Sequence, residues 1–310
     1  MHNIYRLLCI LLLIALAGCS ILPTNNGKLE GKVWCNERYL TEIEGSQRPE
    51  LAKSKLRISK SAYEYAVIAL LPLQSAGVDA DFHFDIPENV VHLLEFDSDR
   101  IEGMSGFGFA AKSYLLTKAD GSVELVISYN GSDSILDYLV QNFSIFLFQN
   151  KYARKYLEYV IDRKPDGIDR VVVTGYSLGG GLAAHVTKYP FKYSSAINQA
   201  WLFNPSPRIG DVNSNIDYRI YLLSTKYEVL NKLNREKLGA SDPHTMVTYD
   251  LIKSSSIYNH YRWVLAREIL QYADAAYWFD DGFSEDESPA MKILRSQTKP
   301  CEEAKYNAQY

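Results

Sequence analysis

Apolar and polar positions along this chain fall into short blocks, most of which carry either a helical or a strand period. Ser61 to Leu73 reads as an apolar helix, stopped near Pro72 because proline has no N–H to continue the ladder. Phe107 to Thr117 and Ser122 to Tyr129 read as strands joined by the turn Lys118-Ala119-Asp120-Gly121. Asp137 to Phe148 is strongly apolar and helical, and Tyr152 to Arg163 places Tyr156, Tyr159 and Val160 on one helical face. Arg170 to Thr174 is a β-branched run, followed by a helix of small residues over Gly181 to Tyr189. Ala200 to Phe203 and Arg219 to Leu223 are short strands, Met246 to Ile252 is a candidate last strand, and Tyr261 to Ala276 is a long closing helix. Strands alternating with helices predict an α/β fold, a mostly parallel central sheet covered by helices on both faces. There is no internal repeat or low-complexity block, and the acidic run Glu285-Asp286-Glu287 reads as solvated surface.

The amino terminus follows a different pattern. Arg6 and the free amino group make a short positive region, followed by the apolar run Leu7 to Ala17. That run is too short for a stable membrane span and fits the core of a signal peptide. It ends in Leu16-Ala17-Gly18-Cys19, which resembles the lipobox of bacterial lipoprotein precursors. The resemblance implies removal of residues 1–18, lipidation of Cys19, and a membrane anchor made stable by several acyl chains. Ser20 follows the cysteine where an Asp would favour inner-membrane retention, so the sorting rule of that class implies the outer membrane of a bacterial envelope. Ser20 to about Gln47 is polar and turn-rich, giving a lipidated tether and entry segment over 19–47 and one folded domain over 48–310.

Composition narrows the function. The chain has 310 residues, 47% hydrophobic, with a formal net charge of −4. It is long enough for one large domain with a real core. A near-balanced charge without a basic stripe gives no electrostatic case for nucleic acid. Of four cysteines, Cys9 leaves with the signal and Cys19 is lipidated, so Cys35 and Cys301 remain. In an exported protein that even remainder suggests a disulfide tying the two ends of the mature chain, with two free thiols as the alternative. Neither has a second Cys or His at ligand spacing, so no metal site is expected.

The most informative stretch is Val171-Val172-Val173-Thr174-Gly175-Tyr176-Ser177-Leu178-Gly179-Gly180-Gly181. A β-branched strand runs into Gly-x-Ser-x-Gly, and a small-residue helix follows. A serine on such a sharp strand-to-helix turn is strained and pushed out of the sheet edge toward substrate. Gly175 and Gly179 relieve the crowding that side chains would cause there. The helix that follows aims its positive end and free N–H groups at the place where oxyanion charge develops.

This segment resembles the nucleophile elbow of the class 3 (fungal-type) lipases, which are α/β-hydrolases. Val126-Ile127-Ser128-Tyr129-Asn130-Gly131-Ser132 with Asp137-Tyr138-Leu139 resembles that family's strand ending in Phe-Arg-Gly-Thr with a downstream Asp-Trp. Trp201-Leu202-Phe203-Asn204-Pro205-Ser206-Pro207-Arg208-Ile209-Gly210-Asp211 resembles its strand ending in Phe-Gly-x-Pro-Arg-x-Gly-Asn. The three matches keep the family's chain order and together cover about Ser122 to Asp211. The resemblance implies an oxyanion hole from Ser132 and the backbone N–H of Leu178. Ser132 could instead cap the helix that follows it. Asn130 departs from the pattern, standing where the family usually has Arg.

A serine hydroxyl needs a base within hydrogen-bond reach. The order Ser, acid, His leaves three of the six histidines. His185 sits two turns along the helix after the elbow, pointing away from the active end. His260 opens the closing helix, much as the family's catalytic histidine sits in a loop close to a late helix, whereas His244 precedes the last strand rather than following it. The acid belongs on the loop after Arg219 to Leu223, where Glu228-Val229-Leu230-Asn231 is the nearest match to the family's Asp and two aliphatics, with Glu for Asp. Asp217 and Asp211 are its rivals. Asn142 to Gln149 is apolar enough to line an acyl pocket or form a lid, although a core helix explains it as well.

These readings converge on a membrane-anchored serine hydrolase cleaving carboxylic esters with Ser177, His260 and Glu228, and no cofactor. Location and family together imply a lipid or other acyl ester as substrate. A non-catalytic envelope lipoprotein that kept the hydrolase fold is the main rival, since fold alone does not give function. A peptidase or thioesterase on the same scaffold is another.

Overall fold

A computed structural model describes residues 49–74, 83–104, 106–130, 143–240, 245–251, 256, 258–281 and 288–296. Helix α1 (Pro49–Leu70) comes first, continued by a 3₁₀ turn over Leu71–Leu73. Pro49 is suited to this start, since the first helical N–H has no partner to lose. Ile58, Ala62, Tyr65, Ala66 and Ala69 are buried at three- and four-residue spacing, which defines the inward stripe. The helix starts twelve residues before the apolar block that predicts it. Lys53 and Arg57, one turn apart, face solvent in that first part and hide its period.

Strands β1 (Val90–His92), β2 (Ala111–Thr117), β3 (Val123–Tyr129), β4 (Arg170–Tyr176), β5 (Gln199–Phe203), β6 (Ile220–Thr225) and β7 (Met246–Tyr249) form one sheet in sequential order. β1 to β3 are antiparallel and β3 to β7 parallel. Gly121, at φ 85°, closes the turn between β2 and β3. β2 is shorter than expected because Phe107 and Gly108 both take positive φ, 52° and 71°, which a strand cannot contain. β1 is too short to show a sequence period.

Helix α2 (Phe143–Arg163) leads into β4, and α3 (Leu178–Lys188) follows it. Of the two helical blocks expected before β4, residues 137–142 lie outside the described residues, and from Phe143 on the two are one helix. The polar pair Gln149-Asn150 between them is buried, and Gln149 donates to the Phe107 carbonyl at 2.7 Å. Helices α4 (Arg262–Asp281) and α5 (Pro289–Arg295) close the described chain.

Side chains alternate across the sheet and so build two cores. Leu125 and Ile127 of β3, Val171 and Val173 of β4, and Leu202 of β5 pack with Tyr156, Leu157 and Val160 of α2 and Leu182 and Val186 of α3. Val126, Val172, Trp201, Phe203 and Leu223 point the other way, against α1 and α4. With strands buried on both faces, apolar residues run in unbroken blocks such as 171–173 in β4 and 200–203 in β5, as buried parallel strands do. This is the mostly parallel sheet, covered by helices on both faces, that the alternation of strands and helices predicts. Among the described residues no helix is long and apolar enough to cross a membrane.

Candidate active site

Ser177 follows β4 directly, Glu228 lies three residues past β6, and His260 lies in the segment between β7 and α4. All three therefore come to the carboxyl edge of the parallel strands, where open α/β sheets place their ligands. His260 Nε2 is 3.0 Å from Ser177 Oγ, and its Nδ1 is 2.6 Å from Glu228 Oε2. Ser177, His260 and Glu228 are buried at 8, 3 and 1% exposure, so water competes little for these bonds. Asp217 instead pairs with Arg219 at 2.7 Å, and Asp211 is exposed.

The serine holds φ 53° and ψ −115°, outside the regions favoured by residues with a side chain. Its backbone is fixed from several directions. The N–H donates to Phe203 O at 2.9 Å, while the carbonyl accepts from Ser206 N at 2.8 Å and Gly181 N at 3.1 Å. The turn is also too tight for side chains on its flanks. A Cβ on Gly175 would run into the backbone of Gly179, and one on Gly179 into the carbonyl of Tyr129. Leu178 is the first residue of α3, so its N–H lies at the positive end of that helix.

His260 is held through its own backbone. The phenol of Tyr176 donates to its carbonyl, and burial raises the Tyr176 pKa well above 10, so the phenol stays a donor. Asn204 Nδ2 donates to that phenol oxygen at 2.9 Å and to Asn259 O at 3.4 Å, while its Oδ1 accepts from Thr225 N at 2.8 Å. Asn204, at φ 42°, thus joins the ends of β4 and β6 to the histidine segment. Glu228 caps a short 3₁₀ turn, accepting from Leu230 N at 2.7 Å through Oε2, and its Oε1 accepts from Arg235 Nη2 at 2.5 Å. Neither the support from Tyr176 and Asn204 nor the pairing with Arg235 is foreseen from sequence. Asn204 carries a faint signal, an Asn directly after a strand, because Asn tolerates positive φ better than most residues.

His185 lies on α3, with Nδ1 2.7 Å from Ile209 O and Nε2 2.5 Å from Arg154 Nη1, apart from Ser177 and Glu228. Ser132, His244, Cys19, Cys35 and Cys301 lie outside the described residues. Among the described residues no cluster of three His, Cys, Asp or Glu could hold a metal ion. Chemically, the arrangement offers a hydroxyl beside an imidazole nitrogen, with a carboxylate on the far nitrogen orienting the ring.

No family model matches the chain, and no curated protein does either. Among solved structures it is similar to a Bacillus cereus carboxylesterase at 18% identity, covering 53% of this chain and 78% of that one, with a TM-score of 0.32. It is similar to M37 lipase at 14% identity, covering 77 and 93% of the two chains, with a TM-score of 0.36. It is also similar to an esterase of Pyrobaculum calidifontis at 11% identity, covering 80 and 98%, again with a TM-score of 0.36.

Proposed function

We propose that this chain is a serine hydrolase that cleaves carboxylic esters through an acyl-enzyme, with Ser177 as nucleophile, His260 as base and Glu228 as the orienting acid. The observation that carries the reading is the pair of hydrogen bonds through one imidazole, 3.0 Å to Ser177 Oγ and 2.6 Å to Glu228 Oε2. His260 Nε2 takes the hydroxyl proton as Oγ attacks the ester carbonyl, and Glu228 stabilises the imidazolium so formed. The Leu178 N–H and the Ser132 hydroxyl stabilise the oxyanion of the tetrahedral intermediate. His260 then returns the proton to the departing alcohol. In the second half the base takes a proton from water, whose oxygen attacks the acyl-serine and frees the acid.

The expected lipid anchor on Cys19 would keep the domain beside a membrane, so the proposed substrate is a glycerolipid or phospholipid ester at the outer membrane. The test is hydrolysis of p-nitrophenyl esters of increasing acyl length by the wild-type chain and by Ser177→Ala. We expect turnover that the variant loses, together with covalent labelling of Ser177 by a fluorophosphonate. A folded wild type that neither turns over any ester nor takes the label would sink the hydrolase reading and favour the non-catalytic one.

A further inference from the structure

Arg235 is 8% exposed and sits beside the site without touching the proton path from Ser177 to His260. We propose that it is a positioning residue, whose guanidinium locks Glu228 so that a glutamate can hold His260 as an aspartate would. The inference rests on the hydrolase reading of Ser177, His260 and Glu228 given above.

Glutamate has one more rotatable bond than aspartate, so its carboxylate reaches farther and is less constrained by its own backbone. Here both oxygens are held. Oε2 takes the Leu230 N–H at 2.7 Å and faces His260 Nδ1 at 2.6 Å. Oε1 takes Arg235 Nη2 at 2.5 Å. If the guanidinium were removed, the carboxylate could rotate about its extra bond and carry the imidazole with it.

The other donors of Arg235 show what the lock is fastened to. Nε donates to Pro205 O at 3.0 Å and Nη1 to Asn231 Oδ1 at 3.2 Å. Pro205 precedes Ser206, whose N–H bonds the Ser177 carbonyl at 2.8 Å. One planar group thus joins the acid loop to the loop that clamps the nucleophile. A rigid fork of donors suits this task and a lysine ammonium does not.

Charge gives the same residue a second role. A buried carboxylate needs a compensating charge. Arg235 supplies one at 2.5 Å from Oε1, on the side of the carboxylate away from the imidazole. In a variant without it, an imidazolium at His260 would be the nearest compensating charge, so removing the guanidinium should favour protonation of the ring. Among the described residues, Tyr176 at the end of β4 and Arg262 at the start of α4 are further titratable or charged groups at this cluster. The phenol is kept protonated by burial, and Arg262 Nη2 is bound to Leu73 O at 2.7 Å.

The test is steady-state hydrolysis of p-nitrophenyl butyrate from acid to neutral pH by the full chain in detergent, with near-UV circular dichroism to establish folding. For Arg235→Met we expect kcat to fall about 10²-fold, the scale of a misplaced catalytic group. KM should change little, and the acid limb of the kcat/KM profile should move to higher pH. Arg235→Lys restores charge without the fork, so it should bring the acid limb back while recovering only part of kcat. In a Glu228→Gln background, Arg235→Met should cost little more, because no ionised acid remains to be positioned.

Wild-type kcat and an unmoved acid limb in Arg235→Met would overturn the proposal, as would an equal loss in the Glu228→Gln background. If the Met variant does not fold, Arg235→Lys decides, and full wild-type kcat there overturns the claim for the fork. A wild-type chain without turnover would overturn the hydrolase reading itself, and this inference with it. An active wild type beside an unimpaired Arg235→Met would overturn this inference alone.

Discussion

His260 and His185 are both buried histidines, at 3 and 2% exposure, yet their partners leave them with opposite capacities. His260 stands between an acceptor, Glu228 Oε2, and a hydroxyl, Ser177 Oγ. Nδ1 carries a proton toward the carboxylate, and Nε2 faces a hydroxyl oxygen that can either donate to it or accept from it. His185 stands between Ile209 O, which can only accept, and Arg154, which can only donate. Its proton must sit on Nδ1, and Nε2 must accept. Burial pushes its pKa down to about 4, and the Arg154 charge adds to that against the pull of the Ile209 carbonyl. Burial therefore does not mark a base; the chemistry of the partners does.

The sharpest way to break this comparison is to remove each histidine in turn and measure ester turnover. His260→Ala should lower kcat by about 10⁴-fold or more while the protein stays folded, as loss of a triad member does. His185→Gln, whose amide can replace one ring hydrogen bond, should stay within about threefold of wild type, since a distant substitution removes no transition-state contact. An equal loss in both would refute the division of roles.

A glycine variant tests the elbow instead. In Gly179→Ala the new methyl meets the Tyr129 backbone, which cannot swing aside as a side chain can. We expect a loss of about 3 kcal/mol or more, at the upper end for overpacking, and a clear fall in melting temperature. Wild-type stability would mean that the close approach of α3 to β3 is not required.

The same contrast explains what the sequence makes legible. Val171 to Gly181 announces a buried strand, a tight turn and a helix at once, because each needs a distinctive residue type. The parallel strands are visible for a similar reason, being apolar on both faces. Glu228 and His260 are harder to read, since any loop carboxylate or helix-terminal histidine looks alike in one dimension. In the sequence His260 is preferred over His244 only by its place after the last strand, and Glu228 competes with Asp217 and Asp211. Arg235 leaves no trace, because its role comes from a contact seven residues away that closes only when the acid loop folds. β1 and the first half of α1 are missed for a simpler cause: three residues show no period, and Lys53 and Arg57 cover the start of the helix.

The comparison sharpens further when stability is followed against pH. The folded pKa of His185 lies near 4, below its ordinary value of 6.5. Between those values the unfolded chain binds a proton that the folded chain does not. The contribution of His185 is therefore fully present above about pH 6.5 and is lost as pH falls toward 4, by at most about 3 kcal/mol. Urea unfolding at pH 7.5 and pH 5 should show the decline, and His185→Gln should reduce it. An undiminished decline in the variant would assign the acid sensitivity to other groups.

Arg154→Met should give the smallest effect and tests the least of the causes acting on His185. The guanidinium donates to Nε2 and lies 4.1 Å from the centroid of the Tyr189 ring. Removing it takes away a donor and a cation–π contact, so stability at neutral pH should fall by about 1 kcal/mol. It also removes a positive charge that opposes protonation, so the folded pKa of His185 should rise partway toward 6.5. The gap between folded and unfolded values then narrows, and the loss of stability between pH 7.5 and pH 5 should be smaller than in wild type. The two changes have opposite consequences: the variant is weaker at neutral pH but less sensitive to acid. A variant as acid-sensitive as wild type would leave burial alone in charge of His185, and the guanidinium would count only as a hydrogen-bond donor.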